Sequence, residues 1–502
     1  MPYIVHQLGA EAYGIYLLIF AIIGYFALLD LDLGQAIIKY VAEYRVGNDY
    51  KRINDVVGVT LLLYLVLGLF GSIVICIGSD FIASRLLKIQ EYLLPVASLA
   101  LYIGSFGFIL TMLLSAFSSI PKALNRYDIT SKVTIVVSLF TTLSTVCLLY
   151  IGFGLEAIVI LNVLLILLNI LAYMLINKRL LPQLKYLPSF DVTAFKTVLS
   201  FGLYSSLGRL SGIIQFQMDR ILTGAILGAS FVTYYFVPFT LVSKAVTLTS
   251  QLSGVILPVV SRLHGEKNFQ SLIGLYLQSS RLIIAMASSI CLPLFLFGKQ
   301  FLTLWMGCEF AQQSGRVLML ITLALYADAF TNVPSFVVQG LGRPKITGIF
   351  AMANAIINLA LFYPLAKSMG VDGIALAFLI SSAGIAPIFV FYANNRVLGY
   401  SMLRLIKDAY LLPLASLLLV GVPFFFFPEH RIDNILLLLG VMMSVTLLYL
   451  LLSALIGVFS KDELRQCYDY VRLIFRWLLQ MEEGNGRGEV ETPPTSEEQL
   501  KS

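Results

Sequence analysis

Arg209, Arg220 and Lys244 stand inside long apolar stretches, where a charge is expensive and turns toward a cavity rather than lipid. Arg209 lies near the middle of its stretch, and Arg220 follows eleven residues later. Eleven residues are three helical turns, so the two guanidinium groups share one face, with Ser205 and Gly212 close to it. Thr240, Lys244, Thr247, Gln251 and Gly254 follow at intervals of four, three, four and three, a polar seam with a cation at its middle. A guanidinium offers a planar fork of donors that takes oxyanion oxygens two at a time. Away from bulk water such contacts strengthen. The chemistry implied is anion binding at membrane depth.

The acidic candidates are fewer. Asp328 is mid-stretch and heads a stripe with Asn332, Ser335 and Gln339. Thr111, Ser115, Ser118 and Lys122 repeat that spacing earlier in the chain. Stripes of this kind commonly only hydrogen-bond between helices. Asp328, being acidic, is also a candidate for proton or cation coupling. Asp219 adjoins Arg220 but points elsewhere, since neighbours on a helix do not face each other. Asp32, Gln35, Lys39 and Glu43 fall on one face of the first stretch. A solvated helix end explains Lys39 and Glu43 as well as a functional role does.

Nucleophilic and metal chemistry find no support. Cys76, Cys147, Cys291, Cys308 and Cys467 have no paired spacing and read as small hydrophobes. His6, His264 and His430 fall in short connections. Of the 502 residues 59% are hydrophobic and 12% charged, against roughly 25% charged in a soluble domain. The chain is an integral membrane protein, and its net charge of +6 reflects loop charges rather than a nucleic-acid partner.

Thirteen apolar runs are long enough to span, at about 13–36, 55–79, 92–118, 129–152, 155–177, 197–225, 230–258, 273–298, 316–340, 345–367, 371–394, 405–427 and 434–459. The longest internal connections are expected at 37–54, 178–196 and 299–315, none able to house a catalytic domain. Alternate connections hold nineteen lysines and arginines on one side and six on the other, and the C-terminal tail adds six to the first side. That bias places the basic side and the tail in the cytoplasm.

Leu8-Gly9-Ala10 returns as Leu227-Gly228-Ala229, with Tyr16 matching Tyr235 and Phe20 matching Phe239 at the same offset of 219. Asn125-Arg126 pairs with Gly342-Arg343, and Gly152 with Gly370, at 217 and 218. Three landmarks agree, and the even number of spans per unit makes the repeat parallel, an architecture of transporters. In this register the span at 197–219 has no partner, so a first helix is expected to be missing before residue 1, with Met1–Val5 as its stub. The organisation read here is an N-terminal lobe at 1–177, an inter-lobe linker at 178–196 and a C-terminal lobe at 197–395. Two additional helices occupy 396–460, an amphipathic interfacial helix 461–481, and a disordered tail 482–502.

Leu8–Gly14, Leu28-Leu29-Asp30-Leu31-Asp32-Leu33-Gly34 and Lys39–Glu43 resemble the opening of bacterial polysaccharide flippases. These are the Wzx-like branch of the multidrug/oligosaccharidyl-lipid/polysaccharide (MOP) exporter superfamily. Met218-Asp219-Arg220, Gln339–Pro344 and Gly370–Ala375 are similar as well, and the resemblance runs to about residue 395. It implies an all-α, MOP/MATE-like polytopic protein: two six-helix lobes plus two helices, in the bacterial inner membrane. It implies flipping of polyprenyl-pyrophosphate-linked oligosaccharide, with membrane lipids and polysaccharide assembly proteins as partners and no cofactor. On that reading Arg209, Arg220, Lys244, Lys39 and Gln251 hold the pyrophosphate and sugars. Asp328, Asp219 and Asp32 supply coupling or counter-charge. One rival is a MATE-type drug or cation antiporter, whose cargo three intramembrane cations would repel. The other is a membrane polymerase or acyltransferase, which needs a large outer loop or a His/Asp pair.

Overall fold

A backbone in hydrocarbon has no water for its N–H and C=O groups, so each long apolar run must close its hydrogen bonds internally as a helix. The computed structural model describes residues 2–86, 89–254, 256–426 and 432–459, and within them all side chains except 2, 27, 28, 46, 86, 204–218, 258, 425 and 426. The described residues are helical almost throughout and contain no strand. Arg431, the expected interfacial helix at 461–481, the tail at 482–502 and the Arg209 side chain lie outside the description.

The first lobe is built from α1 (Pro2–Phe26), α2 (Leu33–Val46), α3 (Tyr50–Phe81), α4 (Leu94–Ala123), α5 (Tyr127–Tyr150) and α6 (Leu155–Leu180). The second contains α7 (Val192–Leu227), α8 (Ala229–Gly254), α9 (Ile256–Gly265), α10 (Phe269–Met306), α11 (Cys308–Gly340) and α12 (Pro344–Tyr392). A short α13 (Met402–Leu405) leads to α14 (Leu411–Phe426) and α15 (Ile435–Ile456). Eleven described helices are long and apolar enough to cross a membrane. Within the longest, α12, Gly370 sits at φ 62° and bends the chain between the expected spans 345–367 and 371–394. The expected span at 197–225 lies within α7.

Three expectations need correction. The span expected at 13–36 is two helices, α1 and α2, separated by a short 3-10 turn and two residues with left-handed backbone, Leu31 and Asp32. Asp32 therefore stands at the helix start with φ 53°, outside the repeat that carries Gln35, Lys39 and Glu43. The connection expected at 37–54 is mostly α2. The one expected at 299–315 does not exist: Gly307, at φ 100°, turns α10 directly into α11. The polar residues that suggested loops there sit on helix ends.

The linker between the lobes is pinned rather than loose. Asn54 bonds it twice, through the Gln183 carbonyl and the Lys185 amide, and Ser189 N–H donates to Gly58 O. Tyr186 donates to Met174 O at 2.7 Å and packs edge-on against Phe117; burial pushes its phenol up to about 12. The first half of α7 then runs along lobe 1. Gly202 leaves room for the Leu31 carbonyl and Leu33, so this helix leans on the α1–α2 break.

The duplicated motif marks the other end of the molecule. Gly9 and Gly228 both hold positive φ, 81° and 105°, so each copy is a tight elbow into the helix that follows. The helices leaving these elbows, α1 and α8, touch there. A Cβ at Gly14 would lie 1.8 Å from the Ala229 carbonyl oxygen, and Thr233 donates to the Ala10 carbonyl at 2.6 Å.

Candidate functional site

Thr233 fixes which face of α8 looks across at lobe 1. Thr240, Lys244 and Gln251 lie seven, eleven and eighteen residues further, all within about 20° of that face. Thr233 is fully buried, whereas Lys244, Thr247 and Gln251 are exposed. On α1, Tyr25 lies eleven residues past Gly14 and is 37% exposed. The lobes therefore touch at the elbow end and part toward the basic end, leaving a cleft lined by the polar seam. Gln35, Lys39 and Glu43 are exposed along one face of α2. Lys39 is held 4.7 Å from the Tyr40 ring centroid and 4.9 Å from that of Phe201.

Arg220 sits at the closed end. Its guanidinium lies over the Phe236 ring, 4.6 Å from the centroid. The Nε–H is buried and has no acceptor among the described residues. Arg220 is eight residues before the Gly228 elbow and Lys244 sixteen after it. At 1.5 Å per residue these are depths of about 12 and 24 Å, so the cations are staggered down the cleft.

The two acidic residues go elsewhere, into lobe 2. Asp219 is buried and accepts a 3.3 Å hydrogen bond from Asn358 of α12. Asp328 of α11 lines a cavity of about 260 Å³ with Asn354 and Ser382. Asn354 and Asn358 are one turn apart on α12, and the side-chain oxygens of both are buried without a partner among the described residues. Neither carboxylate has an ion-pair partner among the described residues. The arrangement is an acid–amide layer with spare oxygen ligands, behind the cleft rather than in it. No group of three or more His, Cys, Asp or Glu among the described residues is placed to hold a metal.

The Ser/Asn stripes are used between helices. Asn332 bonds Thr249 at 3.2 Å, and Ser115 meets the Tyr64 hydroxyl at 3.3 Å. Tyr64 also donates to buried Asp30 and accepts from Gly34 N–H at 2.8 Å, clamping the α1–α2 break. Tyr64, Asn354 and Asn358 have no place in the sequence reading, and Asp30 has one only in a family motif, without a role. The amides were the visible signal: two asparagines four apart in an apolar span.

A family model described as "Polysaccharide biosynthesis protein" matches residues 1–264. The chain belongs to that family. Over 395 residues it is 23% identical to a "Putative O-antigen transporter" of Shigella flexneri, covering 76% of this chain and 89% of the relative. Two solved structures share its fold. One is lipid II flippase MurJ in an inward closed conformation, at TM-score 0.66 and 15% identity, covering 89% of this chain and 94% of MurJ. The other is a multidrug resistance MATE transporter of the MOP superfamily in its inward-facing conformation, at TM-score 0.65 and 19% identity, covering 79% and 91%. The chain is a multi-pass membrane protein of the polysaccharide biosynthesis family, and its fold is the one shared by these two transporters.

Proposed function

We propose that this chain flips polyprenyl-pyrophosphate-linked oligosaccharide across the bacterial cytoplasmic membrane for surface polysaccharide synthesis, with its C-terminal tail inside. The observation that carries the reading is the Arg220 guanidinium: a buried N–H with no acceptor among the described residues, at the closed end of a cleft lined by Lys244 and Gln251. A pyrophosphate entering from the basic end meets Lys39, then Lys244, then Arg220, with Arg209 assigned to the same path from its sequence position. Sugar hydroxyls take Gln251 and the threonines of the seam, while the lipid tail stays in the bilayer between the lobes. Rocking one lobe against the other exposes the cleft to the opposite side.

Each elementary charge crossing 100 mV gains about 2.3 kcal/mol. Two negative charges leaving a negative interior gain about 4–5 kcal/mol, enough to drive export. In this reading Asp328 and Asp219 bind a proton or cation only to reset the empty carrier. Asp32, at the helix break, serves as local counter-charge. A cation antiporter is disfavoured because the cleft is basic and the acids lie behind it. The test is flipping of a lipid-linked oligosaccharide in proteoliposomes under an imposed potential. Transport is expected to rise with potential and to be lost in Arg220→Ala; normal flipping in both Arg220→Ala and Lys244→Ala refutes the reading.

A further inference from the structure

The elbow contact has a symmetry that the sequence repeat explains. At the offset of 219, Ala10 corresponds to Ala229 and Gly14 to Thr233. Gly14 packs on Ala229, and Thr233 bonds Ala10. Exchanging the two lobes turns each contact into the other, as at a two-fold interface where one patch meets its own copy. Both copies carry small residues four apart, Ala10 with Gly14 and Ala229 with Thr233, the spacing that lets helix backbones approach within a membrane. The approach uses all the room available, since even a methyl group at Gly14 would overlap the Ala229 carbonyl.

We infer that the two copies of the Leu-Gly-Ala elbow form a self-complementary clasp that closes the outer gate, with Gly14 as the residue that sets its closure. Its parts divide cleanly. The elbows at Gly9 and Gly228 bring Ala10 and Ala229 to the seam. Gly14 admits the facing backbone. Thr233 adds one directional bond, to the Ala10 carbonyl. Phe236, three residues beyond Thr233, packs on Arg220, so the gate shuts directly above the deepest cation. A side chain at Gly14 cannot coexist with the closed gate and shifts the population toward the outward-open state. The proposal rests on the transport reading but not on the identity of the cargo.

The test uses the full chain freed of its five cysteines, with Thr247→Cys as a reporter in the cleft. A membrane-impermeant maleimide is applied from each face separately, in spheroplasts and in inside-out vesicles. With Gly14 present, the reporter is expected to label from the basic face. Gly14→Val is expected to raise labelling from the opposite face roughly tenfold or more, because a closed-state clash of this size outweighs a modest gate equilibrium. Thr233→Val is expected to shift labelling the same way by a smaller factor. Gly348→Ala, at a helical glycine with open space around it, is the control for helix propensity and is expected to change nothing. Unchanged labelling in folded Gly14→Val overturns the clasp. If that variant fails to fold, Gly14→Ala and Thr233→Val decide, and unchanged labelling in both overturns it. A reporter that responds to Gly14, together with no flipping of lipid-linked sugar by the chain that keeps Gly14 and Thr247, refutes the cargo reading and leaves the clasp standing.

Discussion

The two lobes share a frame but not a chemistry. At offsets of 217 to 219, Asp328 of lobe 2 corresponds to Thr111 of lobe 1, Asn354 to Val137, Asn358 to Thr141, Ser382 to Leu164 and Lys244 to Tyr25. Lobe 2 therefore keeps an acid–amide layer and a cleft cation where lobe 1 has hydroxyls and hydrocarbon. The reverse holds at the bend of the cleft helices. Lobe 1 clamps its break with Asp30, Tyr64 and Ser115, whereas the corresponding positions of lobe 2 hold the lighter pair Thr249 and Asn332. Duplication preserved the places where backbones meet. Ionisable groups, which need a specific cavity to offset their burial, were free to diverge.

The comparison breaks first at the cations. Arg220→Ala is expected to reduce flipping by about two orders of magnitude, since hydrogen bonds to a charged group contribute about 1.5–3 kcal/mol. Arg220→Lys should recover part of it, as a point charge without the fork. Flipping in proteoliposomes checks both.

Moving the acid across the lobes is next. Thr111→Asp places a carboxylate at an exposed position of a membrane helix, in a lobe where Val137 and Leu164 stand in place of Asn354 and Ser382. A loss of about 2.5–3.5 kcal/mol is expected, the cost of an aspartate at mid-membrane depth. Thermal unfolding in detergent reads it, and the matched change Asp328→Thr should be far milder. If Thr111→Asp is neutral, the lobes are less different than their residues suggest.

Tyr64→Phe removes one hydroxyl from both the Asp30 carboxylate and the Gly34 N–H, and a destabilisation of about 2–3 kcal/mol follows from the groups left unsatisfied. In lobe 2, Asn332→Leu is expected to cost only about 1 kcal/mol, because one neutral bond is lost. The ratio of the two, measured as Tm shifts, sharpens the contrast. Smallest is Tyr186→Phe in the linker, where loss of the bond to Met174 O is expected to cost about 1 kcal/mol and to leave flipping intact.

Much of this was readable in advance for a definite reason. Seam residues on α8 keep a helical period, so Thr240, Lys244 and Gln251 fall on one face wherever the helix goes. Asp328 announced itself as an acid in an apolar run. The α1–α2 break did not, because Leu28–Leu33 contains neither Gly nor Pro and its geometry is held by Tyr64, more than thirty residues away. Arg220 and Asp219 were recognised as unusual, but their opposite destinations, the cleft seam and the α12 amides, were not.

The sequence by itself determined the helices, their alternating ends and the duplication. Hydrocarbon admits one backbone solution, and loop charge sets the sides. Only the tertiary structure decided that Asn358, 139 residues from Asp219, would meet that carboxylate, and that the repeated elbows would face each other. Those outcomes depend on how two bundles dock, and local periodicity carries no term for a contact between residues so far apart.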